Sequence, residues 1–369
     1  MDFCKRHFLF ALVAVLVLVL VAYVGVKANL QVLFGVVVPY LAALIFVEGL
    51  IYRVIKWTRS PVPFRIPTTA AQHDSLPWIE RNWGEKLDNP VTTGHVVGRM
   101  ALEVLAFRSL FRNLRSELLQ DPDNPEGARL VHWSYKWLWL GAIAFHYAFL
   151  VVLLRHLRFF TEPVPGFVHL LDSVDGFVVF FVPVVYVSGL VLLAAATYLL
   201  GRRLYNPALR YLSLAADYFP LLLIMIIATT GILMRYFYKT DIVAIKQLAL
   251  GLVTLHPQVP AGISPLFYIH LFLVSVLFAY FPFSKLLHAP GVFLSPSRNL
   301  ATNNRRVRHV NPWNYPVKFH SYEEYEDRFR EAMVEAEIPV EKMPPPEEEE
   351  EEAPAPATKA EKAPEEEEG

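Results

Sequence analysis

Six long apolar runs interrupt an otherwise polar chain, at about 8–27, 32–55, 136–154, 174–200, 212–234 and 265–287. A bilayer core of roughly 30 Å takes about 20 apolar residues in a helix, so each run predicts a membrane-spanning helix. The first run follows Lys5 and Arg6, and Val26-Lys27-Ala28 is weakly like a signal-peptidase site. The run is long for a signal peptide and a second span follows almost at once, so it reads as a retained helix.

Polar segments divide the chain further. Residues 1–56 hold two spans, 57–133 form a long connection, 134–295 hold four spans, and 296–339 follow the last span. The connection starts rich in Pro and Trp (Pro61, Pro63, Pro67, Trp78, Trp83). Residues 98–119 then predict an amphipathic helix, with Leu110, Phe111, Leu114 and Leu118 on one stripe and Arg108, Arg112 and Arg115 on another. Such a helix suits anionic headgroups or the docking of a cytoplasmic partner. Residues 340–369 carry proline runs and two glutamate blocks, too few bulky apolar groups to fold alone.

Composition agrees with a membrane protein. Hydrophobic residues are 54% and charged residues 19% of the 369, against about a quarter charged in soluble domains. The net charge of −1 hides a basic body and an acidic end: residues 323–369 hold 19 acidic and 5 basic groups. Lys and Arg concentrate in the 57–133 connection (Arg59, Arg65, Arg99), between spans 4 and 5 (Arg202, Arg203, Arg210) and after span 6 (Arg298, Arg306, Arg308). These regions and the N-terminus fall on one side of a six-span chain. The positive-inside rule therefore predicts that both termini are cytoplasmic. A multi-pass protein of a prokaryotic cytoplasmic membrane, in contact with its lipids and with no nucleic-acid partner, is expected.

Candidate chemistry narrows to histidine. Cys4 is the only cysteine, which excludes a Cys-held iron–sulfur cluster or covalent c-type haem from this chain alone. Neither phosphate-binding glycine motif occurs. Of twelve histidines, His146 lies within span 3, His156 closes it, His270 lies early in span 6 and His288 closes that one. Ionisable groups at membrane depth mark relays, pathways or cofactors, and neutral imidazole ligates haem iron. On ideal helices, His270 and His288 share a face about 27 Å apart, whereas His146 and His156 lie about 15 Å apart and some 80° off face. Tilt, ring reach and a distortion near Pro282 would have to absorb the difference. His132 and His146, about 21 Å apart on an ideal helix, form a rival pair. His132 otherwise reads as an interfacial residue.

The block His146-Tyr-Ala-Phe-Leu-Val-Val-Leu-Leu-Arg-His156-Leu-Arg-Phe-Phe-Thr-Glu-Pro, with His270 and Phe281-Pro-Phe-Ser-Lys-Leu-Leu-His288-Ala-Pro290, resembles the cytochrome b subunit of respiratory nitrate reductases. The resemblance covers about 135–295. The extra N-terminal span, the long connection, the acidic tail and the Arg155-His-Leu-Arg-Phe-Phe-Thr-Glu-Pro-Val-Pro165 run more closely resemble the DsrM family, membrane cytochromes b of sulfite-reduction-associated complexes. The resemblance implies an all-α di-haem b bundle. His156 and His270 would hold an outer haem iron, and His146 and His288 an inner one.

Several polar groups lie near these positions. Arg155 and Arg158 suit haem propionates or a quinone head, and Lys285 suits the inner haem. Glu162, Asp172 and Asp175 follow span 3 and are candidate proton acceptors or plain loop acids. Glu48 and Asp217 are expected to pair within the bundle. The leading reading is menaquinol oxidation near the outer face, with electrons leaving through two b haems to a cytoplasmic partner. The resemblance implies that this partner is a heterodisulfide-reductase-like iron–sulfur subunit. It further implies a periplasmic multihaem cytochrome c, a ferredoxin-like protein and a second membrane subunit. The alternatives are a transporter or anchor without redox chemistry, or the same cytochrome reducing quinone.

Overall fold

The computed structural model describes residues 2–60, 66–119, 127–177, 184–303, 305 and 318–342. Pro61, Pro63, Arg65, Arg306, Arg308, the side chain of Cys4 and the acidic tail from 343 lie outside the described residues. The chain divides into two units, Met1–Asn314 and Tyr315–Gly369.

In the first unit, α1 (Asp2–Lys27) is followed by a π-helical turn, Leu33–Val37, that runs into α2 (Val38–Thr58). The connection folds as α3 (Trp83–Asp88), α4 (Thr93–Ala106), α5 (Arg108–Arg112) and the strands β1 (Leu114–Leu119) and β2 (Arg129–Ser134). Next come α6 (Lys136–Phe160), α7 (Gly166–Asp175), α8 (Val187–Tyr205), α9 (Pro207–Leu212) and α10 (Ala215–Tyr236). They are followed by α11 (Ile242–Val253), α12 (Pro265–Tyr280) and the short helices α13 (His288–Gly291) and α14 (Pro296–Asn299).

Six helices are long and apolar enough to span a bilayer: Lys5–Lys27, Leu33–Thr58, Lys136–Phe160, Val187–Tyr205, Ala215–Tyr236 and Pro265–Phe283. Five coincide with the expected runs. The fourth starts later than 174, because α7 stops at Gly176 and a new helix begins at Val187. Helix α11 is apolar but too short to cross. Asp241 caps it through the backbone N–H groups of Val243 and Ala244, and it packs on α6.

The bundle is held by close backbone approach and interlocked aromatics. Helix α6 packs on α8, α1 on α10 and α12, α2 on α12, and α10 on both α8 and α12. Hydrophobicity gives little drive between helices in lipid, so small residues at crossings matter. A Cβ at Gly141 would stand 2.5 Å from the Tyr198 ring, so only glycine lets α8 come this close to α6. A Cβ at Gly49 would stand 2.7 Å from Pro282, which fixes α2 against the end of span 6. Phe34 meets Phe272 edge-on at 5.2 Å, and Phe8 meets Tyr218 at 5.6 Å.

The amphipathic helix expected over 98–119 is cut short. Helix α4 ends at Phe107, whose φ of 51° is left-handed, and residues 114–119 pair antiparallel with 129–134 in register Leu114↔Ser134. In the sequence the two strands are separated by Asp121-Pro-Asp-Asn-Pro-Glu-Gly127, a run of strand-breaking residues. Leu-Arg-Ser-Glu-Leu fits a two-residue period as well as a helical stripe, and strand pairing decided between them.

In the second unit, α15 (Tyr322–Glu335) starts at Ser321, whose hydroxyl accepts from the N–H of Glu324. Glu326 is buried and accepts from the backbone N–H groups of Glu341 and Lys342 at 2.7 and 2.8 Å and from Arg330 at 3.3 Å. Those backbone donors hold its carboxyl below the usual range.

Candidate functional site

The structure brings the four membrane histidines together in two pairs. The His156 and His270 rings stand 6.5 Å apart between centres with planes 14° from parallel, and His146 and His288 stand 5.9 Å apart at 84°. Each ring is fixed through Nδ1. His146 bonds the Ala142 carbonyl (2.7 Å), His156 the Val152 carbonyl (2.6 Å) and His288 the Lys285 carbonyl (2.7 Å). His270 meets Thr230 Oγ1 at 2.8 Å. Thr230 is buried and its hydroxyl donates to the Ile226 and Ile227 carbonyls, so it accepts from His270. Carbonyl oxygens only accept, so all four Nδ1 atoms carry the proton and all four Nε2 atoms keep a lone pair. Outer-shell bonds of this kind orient metal-ligating histidines.

This donor set fits haem. Two imidazoles on opposite sides of one metal, each at about 2 Å, place their ring centres about 6 Å apart. Both observed separations agree. Either angle between ring planes is compatible, because each plane contains its own metal–nitrogen direction. Each pair would offer two imidazole nitrogens to one haem iron.

The helical mismatch is resolved where Pro282 lies. Helix α12 gives way to a 3₁₀ turn at Phe281–Phe283, Ser284 is extended (φ −121°, ψ 176°), and a second 3₁₀ turn covers Lys285–Leu287. His288 is therefore off the axis that carries His270, and ideal-helix spacing does not apply to the pair. His132 lies elsewhere: it stands on β2, bonded to Ser116 Oγ at 2.9 Å, and α6 begins only at Lys136.

Arg155 is committed to protein carboxylates. It donates to Asp172 and Asp175 at 2.6 Å each and lies 3.4 Å over the Tyr186 ring. Asp175 is buried and also accepts from the Ser188 N–H and hydroxyl. Arg158 bonds Asp172 at 2.9 Å and keeps 39% of its side chain exposed. The reading of Asp172 and Asp175 as solvated loop acids or free proton acceptors is thus corrected, since both are tied into this clamp. Glu162 is 63% exposed and pairs with Lys246. Asp217 pairs with Lys285 at 2.5 Å and lies 3.9 Å from Arg203. Lys285 is thereby held beside the His146–His288 pair. Glu48 has no ion-pair partner among the described residues: it lies exposed on α2, beside Gly49, Tyr52 and Phe283.

Four groups near the pairs were missed by sequence reasoning. Thr230 gave only the weak signal of a hydroxyl within a span. Arg235 stacks on Tyr186 at 4.8 Å, and its buried Nε has no partner among the described residues. Tyr186 itself meets both Arg155 and Arg235 through its ring. Phe107 meets His146 edge-on at 5.0 Å, while Trp139 donates to the Ala106 carbonyl and Tyr147 to the Leu105 carbonyl. The end of α4 is thus pinned beside the His146–His288 pair, and no periodicity signals such a contact.

Comparison with known proteins now bears on this geometry. Residues 131–309, which hold all four paired histidines, match the nitrate reductase gamma subunit family. A cytochrome b-like subunit of an Hdr-like menaquinol oxidoreductase from Archaeoglobus fulgidus is 48% identical over 286 residues, covering 76% of this chain and 83% of that protein. Its counterpart from Archaeoglobus profundus is 43% identical over 279 residues, covering 74% and 81%. The chain belongs to this family of cytochrome b-like subunits. It is a multi-pass membrane protein whose matched segment carries both histidine pairs.

Proposed function

We propose that the chain is a di-haem b subunit of the DsrM type in a sulfur-metabolism respiratory complex. It oxidises menaquinol at the end holding His156 and His270. Electrons leave at the end holding His146 and His288, toward a cytoplasmic iron–sulfur partner. The carrying observation is the four-histidine arrangement: two facing pairs, each Nδ1 tied back and each Nε2 left to ligate. Two b haems bound there would supply one-electron transfer across the membrane.

The chain's own residues do the rest. His156 and His270 would hold one haem and His146 and His288 the other. Thr230 keeps His270 in the ligating tautomer. The Arg155–Asp172–Asp175 clamp sets the loop beside the outer pair. Arg158 and Arg235 keep the cationic capacity for propionate or quinol oxygens. Of the three acids after span 3, Glu162 stays accessible for the two protons that quinol loses with its two electrons. The relatives' names support the substrate and a heterodisulfide-reductase-like partner. A periplasmic multihaem cytochrome c, a ferredoxin-like protein and a second membrane subunit complete the proposed complex. Both termini are assigned to the cytoplasm by charge, in the prokaryotic cytoplasmic membrane.

A pyridine haemochrome count and a reduced-minus-oxidised spectrum on the purified chain test this. The expected result is two b haems per chain, reducible by a menaquinol analogue. His270→Ala should remove the outer signal and His288→Ala the inner one. A well-folded, haem-supplied preparation without haem would end this reading and favour a transporter or anchor.

A further inference from the structure

Two acids lie within the six spans, Glu48 and Asp217. Asp217 is buried and paired with Lys285. Glu48 is exposed, with neither a hydrogen bond nor an ion pair among the described residues. The basic residue nearest to it along α2, Arg53, donates through Nε to the Pro282 carbonyl at 3.1 Å.

The depth of Glu48 makes this exposure significant. Its span, Leu33–Thr58, is 26 residues long. At a rise of about 1.5 Å per residue, Glu48 is roughly 4 Å from the middle of that span, so about 11 Å of a roughly 30 Å hydrocarbon core separates it from the nearer edge. Long lysine and arginine stems snorkel toward the interface, but a glutamate side chain is too short to cover that distance. Acids at such depth face a partner or a water-filled cavity rather than lipid.

The surroundings define the partner. An open cleft of about 270 Å³ is lined by Ile45, Glu48, Gly49, Tyr52 and Phe283. Its polar side chains are Glu48 and Tyr52, one helical turn apart on one face of α2, and Tyr52 is 58% exposed. Leu41, Leu44, Ile51 and Ile55 are exposed and continue that face in both directions. Apolar positions alone would suit lipid; an acid in the middle of them does not. An ionised carboxylate only accepts hydrogen bonds, so whatever covers it must donate, and a cation also answers its charge. A second copy packed through the same face about a two-fold axis would set Glu48 against Glu48, acceptor against acceptor.

We propose that this face of α2 docks a transmembrane helix of another chain, one that carries a lysine or arginine at mid-membrane depth. The cation pairs with Glu48, the Tyr52 hydroxyl accepts a second bond from it, and Leu41, Leu44, Ile51 and Ile55 pack along the partner helix. The proposal stands on the span and the cleft and does not depend on the redox reading.

The test uses membranes of cells that produce the full-length chain with its native partners. The photoreactive amino acid benzoylphenylalanine replaces Leu44 or Ile51, the membranes are irradiated, and the crosslinked peptide is sequenced by mass spectrometry. A peptide from an apolar span of another chain, with a lysine or arginine near its middle, is expected. Glu48→Leu should lower the crosslinking yield about tenfold, the scale of a strong polar contact between helices in lipid. Replacing the partner's cation with methionine should lower it to the same level, and the two changes together no further. In the purified chain alone, Glu48→Leu should leave the thermal midpoint unchanged or raised, because the carboxylate has no partner there. Adducts with lipid, quinone or a second copy alone, an unchanged yield in Glu48→Leu, additive losses in the double variant, or a lowered midpoint in the isolated chain would overturn the assignment. Neither readout uses haem, so the result is separate from the haemochrome count.

Discussion

Thr230→Val probes the His156–His270 pair through a residue that would not itself touch a ligated iron. The two side chains have nearly the same shape, so the change removes one hydroxyl and little else. That hydroxyl is the acceptor for His270 Nδ1 at 2.8 Å, in a buried setting. Its loss leaves a buried donor unpaired, at a cost of roughly 1–3 kcal/mol. Outer-shell partners of metal-ligating histidines are worth about 10–100-fold in affinity, or about 1.4–2.8 kcal/mol. The two estimates agree, and a loss of about 30-fold in haem affinity is expected at the His156–His270 pair. The His146–His288 pair should be unchanged. Haem is titrated into the apo chain and followed by absorbance, and a potentiometric titration separates the two sites. Thr229→Val is the control, because its hydroxyl bonds only its own helix at the Met225 carbonyl. Outer-pair affinity within twofold of wild type in Thr230→Val, or equal damage from the control, would refute the role given to Thr230.

Three further outcomes follow from the packing. Asp175→Asn breaks a buried clamp, leaving Arg155 with Asp172 alone, and should cost roughly 3 kcal/mol in thermal or denaturant unfolding. Gly49→Ala drives a Cβ to 2.7 Å from Pro282. Overpacking of this kind costs about 1–3 kcal/mol, and the displaced turn should disturb the spectrum of a haem at the His288 pair before that at the His270 pair. Glu326 has a depressed folded pKa, so its stabilisation is complete above the ordinary value of 4.5 and is lost as pH falls through the lower folded one. The protection factors of the Glu341 and Lys342 amides should therefore fall on acidification below that range in wild type, and should lose most of that pH dependence in Glu326→Gln.

Much of this protein was legible along the chain. Span location follows from local apolar density, which the bilayer thickness converts directly into helix length. The absence of usable cysteine directed attention to histidine, and the cost of ionisable groups in lipid singled out His146, His156, His270 and His288. What depended on contacts between distant segments was not legible. The 98–119 stripe satisfied two periods, and the choice went to the strand partner at 129–134. Among the described residues Glu48 has no ion-pair partner, because a helix's neighbours are set by the whole bundle.

The sequence by itself determined six spans, a basic body with an acidic end, and four histidines at membrane depth, since each depends on residue type and local spacing. Only the tertiary structure decided which rings face each other, because ideal-helix spacing was inconsistent until the turn at Pro282–Ser284 moved His288 off axis. It also decided the roles of Arg155, Thr230 and Arg235. A side chain's chemistry depends on which donors and acceptors surround it, and those arrive from residues up to 40 positions away in the case of His270 and Thr230.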